Sequence, residues 1–174
     1  MNSTESTKRD WYLIFCKPHQ EMSARTNLER QGYEVYLPLI RGRKRSQGRR
    51  VPCLQPMFPR YLFIHLGTGS DNWAPIRSTI GVSHLVKFGF EPAKVPDDLI
   101  TALMFNAGDE GIFEAKETEF KPGDHLRIAE GVMAGYEGIV LARTGKDRVQ
   151  LLLNFVSCGL SNIEIADDQL ELVV

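Results

Sequence analysis

The apolar positions change their period several times along the chain, and each change predicts an element. Trp11–Cys16 (WYLIFC) is an unbroken apolar, aromatic-rich run, the pattern of a strand buried on both faces. Lys17-Pro18 ends it, because proline cannot extend the ladder. From His19 to Gln31, Ala24 and Leu28 recur at i,i+4 with Met22 nearby, which predicts a helix. Gly32 stands where a left-handed C-cap falls. Glu34–Leu39, Arg60–Leu66 and Val82–Phe88 read as strands, and Ser70–Ser78 as a short helix. Pro96 followed by Asp97 and Asp98 starts a helix, with acids complementing its dipole, that runs to Asn106.

Gly108–Phe120 is acidic and without a clear period, as a linker is. Beyond Pro122 the texture changes to short runs of period two between glycines: Leu126/Ile128, Val149/Leu151/Leu153/Phe155 and Ile163/Ile165. The expected architecture is therefore α+β. Residues 1–10 form a tail, and 11–107 an antiparallel sheet flanked by helices. Residues 108–120 link it to a small β-barrel over 121–174. About 54 residues is near the lower limit for a lone core, so strand closure matters there.

Composition narrows the classes. Over 174 residues, 43% hydrophobic and 25% charged exclude collagen-like and wholly disordered chains. No apolar run approaches the roughly 18 residues of a membrane span, and the polar first ten residues carry no secretory h-region. Three cysteines without CxxC spacing disfavour a disulfide framework or structural zinc. A soluble, cytoplasmic monomer is expected. The net charge of −1 conceals a split: residues 1–60 hold 12 basic and 5 acidic side chains, residues 61–174 hold 9 and 17. A basic front half suits a polyanion.

Catalytic signatures are missing: no phosphate loop, no HExxH, no GxSxG, and four scattered histidines without metal-ligand spacing. No enzyme activity, metal or cofactor is expected. Three other features point to binding. Arg41, Arg43, Lys44, Arg45, Arg49 and Arg50 lie in a stretch with no apolar residue, a loop or hairpin tip whose charges suit phosphates. On the first helix Gln20, Ser23, Asn27, Arg30 and Gln31 share one polar face, with Lys17 just before it. Amides and guanidinium groups bond base edges as well as phosphates. Finally, Tyr61 and Phe63 lie on one side of a strand and Leu62 on the other, so an aromatic face is available to a protein partner.

The runs WYLIFCKPHQE, PMFPRYLF and GVSHLVKFG resemble the N-terminal domain of NusG-type transcription factors, and PGDHLRIAEGVMAGYEGIVLA resembles the KOW motif that follows it. GVSHLVKFG and LLLNFV bring the chain closest to the RfaH branch. The likeness covers about residues 11–174. It implies a non-catalytic factor whose sheet sits on the clamp helices of the largest RNA polymerase subunit and suppresses pausing and termination. Phe15, Phe58, Tyr61, Phe63 and Phe88 match the polymerase-facing positions. Lys17, Gln20, Asn27, Arg30, Gln31 and Thr79 fall where the RfaH branch reads exposed non-template DNA. Ile80, Ser23 and Asn27 replace residues of that branch, which implies a different DNA element or weaker specificity.

The resemblance also implies that the KOW barrel binds ribosomal protein S10, through Phe155, Val156, Cys158 and Gly159, while the termination factor Rho is not expected. A general NusG factor and a KOW-type RNA- or ribosome-binding protein are the alternative readings. In RfaH the C-terminal segment can instead dock on the aromatic face as a helical hairpin. Here Gly135, Gly138 and Gly159 would fall in or near those helices, at about 1 kcal/mol for each interior glycine. The pairing glutamate opposite Arg148 is Gln55. Together with the period-two runs, these features favour a free barrel.

Overall fold

The computed structural model describes residues 8–114, 136, 138–140, 142 and 144–158. The chain runs β1 (Arg9–Cys16), α1 (Glu21–Arg30), β2 (Glu34–Tyr36), β3 (Leu39–Ser46), β4 (Arg49–Pro56) and β5 (Tyr61–Gly67). A 3-10 turn (Ala74–Ser78), β6 (Val82–Leu85), β7 (Lys87–Phe88), β8 (Glu91–Pro92) and β9 (Lys94–Val95) follow. Then come α2 (Asp97–Asn106), β10 (Ile112–Glu114) and α3 (Gly145–Cys158). Mixed α+β architecture is as expected.

β1 is the centre of the main sheet, ordered β2-β5-β1-β6 with β9 also on β1. Every pairing is antiparallel, with Leu13 opposite Phe63 and Ile14 opposite Leu62. Alternation along β1 feeds two cores. Tyr12, Ile14 and Cys16 pack with Ala24 and Leu28 of α1, Leu62, Ile64 and Ile76. Trp11 and Leu13 face the other way, onto Phe58, Phe63 and the α2 residues Leu99, Ile100 and Leu103. A strand buried on both faces must be apolar throughout, which is why WYLIFC shows no polar alternation.

α1 ends at Arg30, and Gly32 just beyond it, with φ of +90°, is the left-handed cap the sequence predicts. α2 ends at Asn106, also as expected. The arginine-rich stretch is a hairpin: β3 pairs with β4 from Leu39↔Pro56 to Ser46↔Arg49 around Gln47 (φ +48°) and Gly48 (φ +76°). Two positive φ values in a two-residue loop suit the twist of a hairpin. Ile112–Glu114, expected in the linker, adds to β3 in parallel as β10.

The largest departure is C-terminal. Val149–Phe155, expected as a strand, lies within α3, and α3 is docked on the main sheet rather than free. Its buried positions Arg148, Leu152, Phe155 and Val156 follow helical spacing. Thr144 caps its start, its hydroxyl accepting from the Asp147 amide at 3.1 Å. Gly145 is at the helix start, where glycine costs little. Gly138 is helical too, within the segment read as barrel. The remaining barrel strands, Leu126/Ile128 and Ile163/Ile165, the tail to Thr7 and linker residues 115–120 lie outside the described residues.

Candidate functional site

Two surfaces are built on opposite faces of the main sheet. On the first, α1 presents its polar side beside the loop from Thr79 to Val82. The two are held together by backbone: the Lys17 amide donates to Gly81 O at 2.9 Å. Gly81 has φ +92°, and a Cβ there would stand 2.6 Å from the Ala24 nitrogen. Only glycine permits both this conformation and this approach. Gln31 Nε2 then reaches Thr79 Oγ1 at 2.9 Å, and the Thr79 hydroxyl donates to Pro75 O at 3.0 Å. Lys17, Gln20, Arg30 and Gln31 are exposed and Asn27 is half-buried, its amide donating to Ser23 O at 2.8 Å. Thr79 is only 7% exposed, so it braces Gln31 from beneath rather than offering its own hydroxyl to solvent.

The second surface carries the aromatic set. Phe15 is half-buried at its rim, with Tyr61 and His84 at centroid distances of 5.1 and 5.2 Å. Phe88 is exposed in the β7–β8 hairpin. Phe58 and Phe63, edge-to-face at 5.8 Å, are both fully buried. Ile139 and the α3 residues Leu152, Phe155 and Val156 share their cluster with β1 and α2, and Tyr61 packs at its margin. The expected open aromatic face is thus covered at its centre. Arg148 fastens α3, its Nε donating to Met57 O at 2.7 Å and Nη1 to Ala142 O at 3.2 Å. Burial pulls its guanidinium pKa down, an effect partly opposed by the charge of Asp147. Gln55, expected to face Arg148, sits on β4 opposite Ile40.

As a ribosomal-protein site, Phe155 and Val156 are occupied in this state, being buried in a helix rather than following a strand. Cys158 ends that helix, and Gly159 lies outside the described residues.

Sequence reasoning missed the link between the two surfaces. Glu21, 7% exposed at the start of α1, accepts the Arg60 amide at 2.8 Å. Arg60 has φ +71°, its Nε donates to Cys16 O at 3.1 Å, and its guanidinium lies 4.0 Å over the Phe15 ring. An acid followed by apolar helix positions reads as a dipole complement, so nothing local in the sequence marks Glu21 as buried. Burial pushes the Cys16 thiol beneath them up to about 12, with the Glu21 charge adding to the shift. The hairpin residues Arg41, Arg43, Lys44, Arg45, Arg49 and Arg50 are all exposed. No metal-ligating cluster and no helix long and apolar enough to cross a membrane occur among the described residues.

Residues 9–104 match the model of the family described as NusG, transcription termination factor nusG. The chain is 26% identical over 148 residues to the transcription termination/antitermination protein NusG of Thermus thermophilus, covering 75% of this chain and 80% of that one. With its counterpart in Escherichia coli K12 it is 25% identical over 147 residues, covering 79% and 81%. A solved structure described as domain interaction in Thermotoga maritima NusG covers 72% of this chain and 75% of its own, at 25% identity and TM-score 0.46.

Proposed function

From the premise that the chain belongs to the NusG family of transcription termination factors, we propose that it is an RfaH-like elongation and antitermination factor. In this reading the aromatic face of the main sheet binds the clamp helices of RNA polymerase. The polar side of α1, with Lys17, Gln20, Asn27, Arg30 and Gln31, reads the exposed non-template DNA strand. Neither act breaks a covalent bond, and no cofactor or metal takes part.

The observation that carries the reading is the docking of α3 over Phe58 and Phe63. In this reading the docked helix keeps the polymerase-binding face covered until the factor is recruited, as action confined to particular operons requires. Closure requires that docked and open states differ by only a few kcal/mol, so that DNA contacts at α1 shift the balance. Release of α3 frees Phe155 and Val156 at the same moment, which makes a ribosomal partner such as protein S10 available only after recruitment. Rho has no place in this scheme.

The test is transcription in vitro over templates with a randomised non-template segment at a defined pause. Suppressed pausing confined to templates sharing a motif supports the proposal. Equal action on all templates overturns it and leaves a general NusG factor. RNA-dependent recovery of ribosomal proteins without polymerase would favour the RNA-binding alternative instead.

A further inference from the structure

A cavity of about 710 Å³ opens between the 3-10 turn and the strands β6, β7 and β8, and the transcription reading gives it no role. Its walls are apolar, built from Trp73, Ile76, Leu85, Val86 and Pro92. Its charged lining is basic throughout, from Arg77, His84 and Lys87, and no acid takes part. Arg77 and Lys87 are exposed and make no ion pair or side-chain hydrogen bond among the described residues. His84 has Nδ1 at 3.1 Å from Ser83 Oγ, which leaves Nε2 for a ligand. Asp71, the acid nearest to Trp73 in sequence, is already engaged: it accepts the Gly67 amide at 2.7 Å and meets Arg9 at 3.5 Å. Trp73 itself is a fixed wall. Its Nε1 donates to Gly67 O at 3.1 Å and its ring meets Tyr12 edge-on at 4.8 Å, so little side-chain freedom is left to lose on binding.

We propose that this cavity binds a free nucleoside polyphosphate, with the base against Trp73 and the phosphates among Arg77, Lys87 and His84. The volume falls within the roughly 300–1,000 Å³ of small-molecule sites, which are mostly apolar with a few placed polar groups. Three basic side chains around one cavity call for a multiply charged anion, which a fatty acid or other single carboxylate is not. Apolar walls call for a ligand with an apolar body, which inorganic phosphate lacks. A nucleotide meets both demands: its base stacks on an aromatic side chain, and a guanidinium offers paired donors to its phosphate oxygens. A single strand of nucleic acid is held instead by a basic groove that follows its backbone. An acidic peptide spreads its charges along its length, whereas here the basic groups line one cavity.

The experiment is calorimetric titration of the full-length chain, without polymerase or DNA and free of divalent metal, with ATP, GTP, adenosine and inorganic triphosphate as probes. ATP or GTP should bind at one per chain. Adenosine and triphosphate should each bind at least about 10-fold more weakly, because each meets only half of the site. Arg77→Gln with Lys87→Gln should weaken the nucleotide about 100-fold, at about 10-fold for each charge-assisted bond, and leave adenosine as it was. Both residues are exposed, so the double variant should melt at the wild-type Tm. Trp73→Leu should weaken nucleotide and adenosine alike by about 10-fold, while Trp73→Phe, which keeps a ring to stack on, should regain most of the loss. Binding of triphosphate as tight as that of ATP would leave a phosphate site only and overturn the proposal. No binding of either nucleotide at about 1 mM, or a nucleotide affinity that the double variant leaves unchanged, overturns it as well. So does Trp73-dependent binding of a single-stranded DNA of about 12 nucleotides, or of a peptide of alternating Glu and Leu, in place of the free nucleotide.

Discussion

Leu152→Ala isolates the docking of α3. Leu152 is fully buried and belongs to the core that contains Trp11, Phe58 and Phe63, not to the core under α1. Alanine is the better helix former, so the substitution cannot act by weakening the helix itself. What it removes is packing across the helix–sheet interface, at about 2–5 kcal/mol for a buried leucine. Taking about 3 kcal/mol, the ratio of docked to undocked states falls about 150-fold.

Hydrogen exchange reads this ratio directly, because amides of a locally opening unit exchange through that opening. The amides of α3 should exchange about 150-fold faster in the variant, and those of β1 and β5 should change far less. Retention on core polymerase should rise in parallel as the aromatic face is uncovered. Wild-type exchange rates in α3 would refute the packing argument. Equal acceleration of α3 and β1 would refute a different step, namely that the helix opens without the sheet.

Gly145→Ala should also loosen α3 despite improving its helix propensity, because a Cβ there would stand 2.6 Å from Pro59 Cγ; overpacking of about 1–3 kcal/mol exceeds the propensity gain, and faster exchange over α3 is the readout. Gly81→Ala should lower stability by about 2 kcal/mol or more, from the left-handed backbone and the contact with Ala24 together, seen as a lower Tm. Asp10 has its pKa held below 3.8, first by the hydrogen bond from Lys94 at 2.9 Å. Its contribution is therefore present above the unfolded pKa and lost as pH falls through the folded one, and Asp10→Asn should flatten that part of an acid-denaturation curve; an unchanged curve would rule the pair out. Cys16, with its thiol pushed up to about 12 by burial, should resist alkylation in the native chain at neutral pH while half-buried Cys53 reacts, as peptide mass mapping would show.

The N-terminal elements were legible because local and global signals agree there. WYLIFC, short, apolar and aromatic-rich, suits a doubly buried strand, Gly32 caps α1, and Pro96 with its two acids opens α2. The C-terminal segment was not legible, for a physical reason. Val149, Leu151, Leu153 and Phe155 alternate as a strand would, yet Arg148, Leu152, Phe155 and Val156 of the same stretch make a helical stripe. Thr144-Gly145-Lys146-Asp147 reads equally as a turn or as a helix cap. A sequence carrying both periods does not decide between them, and the apolar face it meets does. Likewise the aromatic run PRYLF announced a face for burial but not whether a partner or the chain itself would cover it. Of the site on α1, the exposed face was legible from spacing. The burial of Thr79 was not, since it depends on an approach made possible by Gly81, far away in sequence from α1.

The sheet separates the two proposed binding surfaces, and one chain of contacts crosses between them. Glu21 belongs to α1, the helix with the polar face, and fixes the left-handed backbone of Arg60. Arg60 in turn covers Phe15 at the rim of the aromatic surface and bonds to the end of β1. In the proposed scheme a shift of α1 by a bound strand of DNA is absorbed by this part-buried contact, because a carboxylate withdrawn from the Arg60 amide leaves both groups unsatisfied at a cost of about 1–3 kcal/mol. That cost is of the same order as the gap a switch between docked and open α3 has to cross. It is felt at Phe15, next to Tyr61 on the margin of the core that α3 completes. In the proposed scheme, contacts made at one face of the sheet reach the covering of the other through this glutamate and arginine, and Glu21→Gln, which keeps the acceptor but removes the charge, should leave that coupling in place while Glu21→Ala removes it.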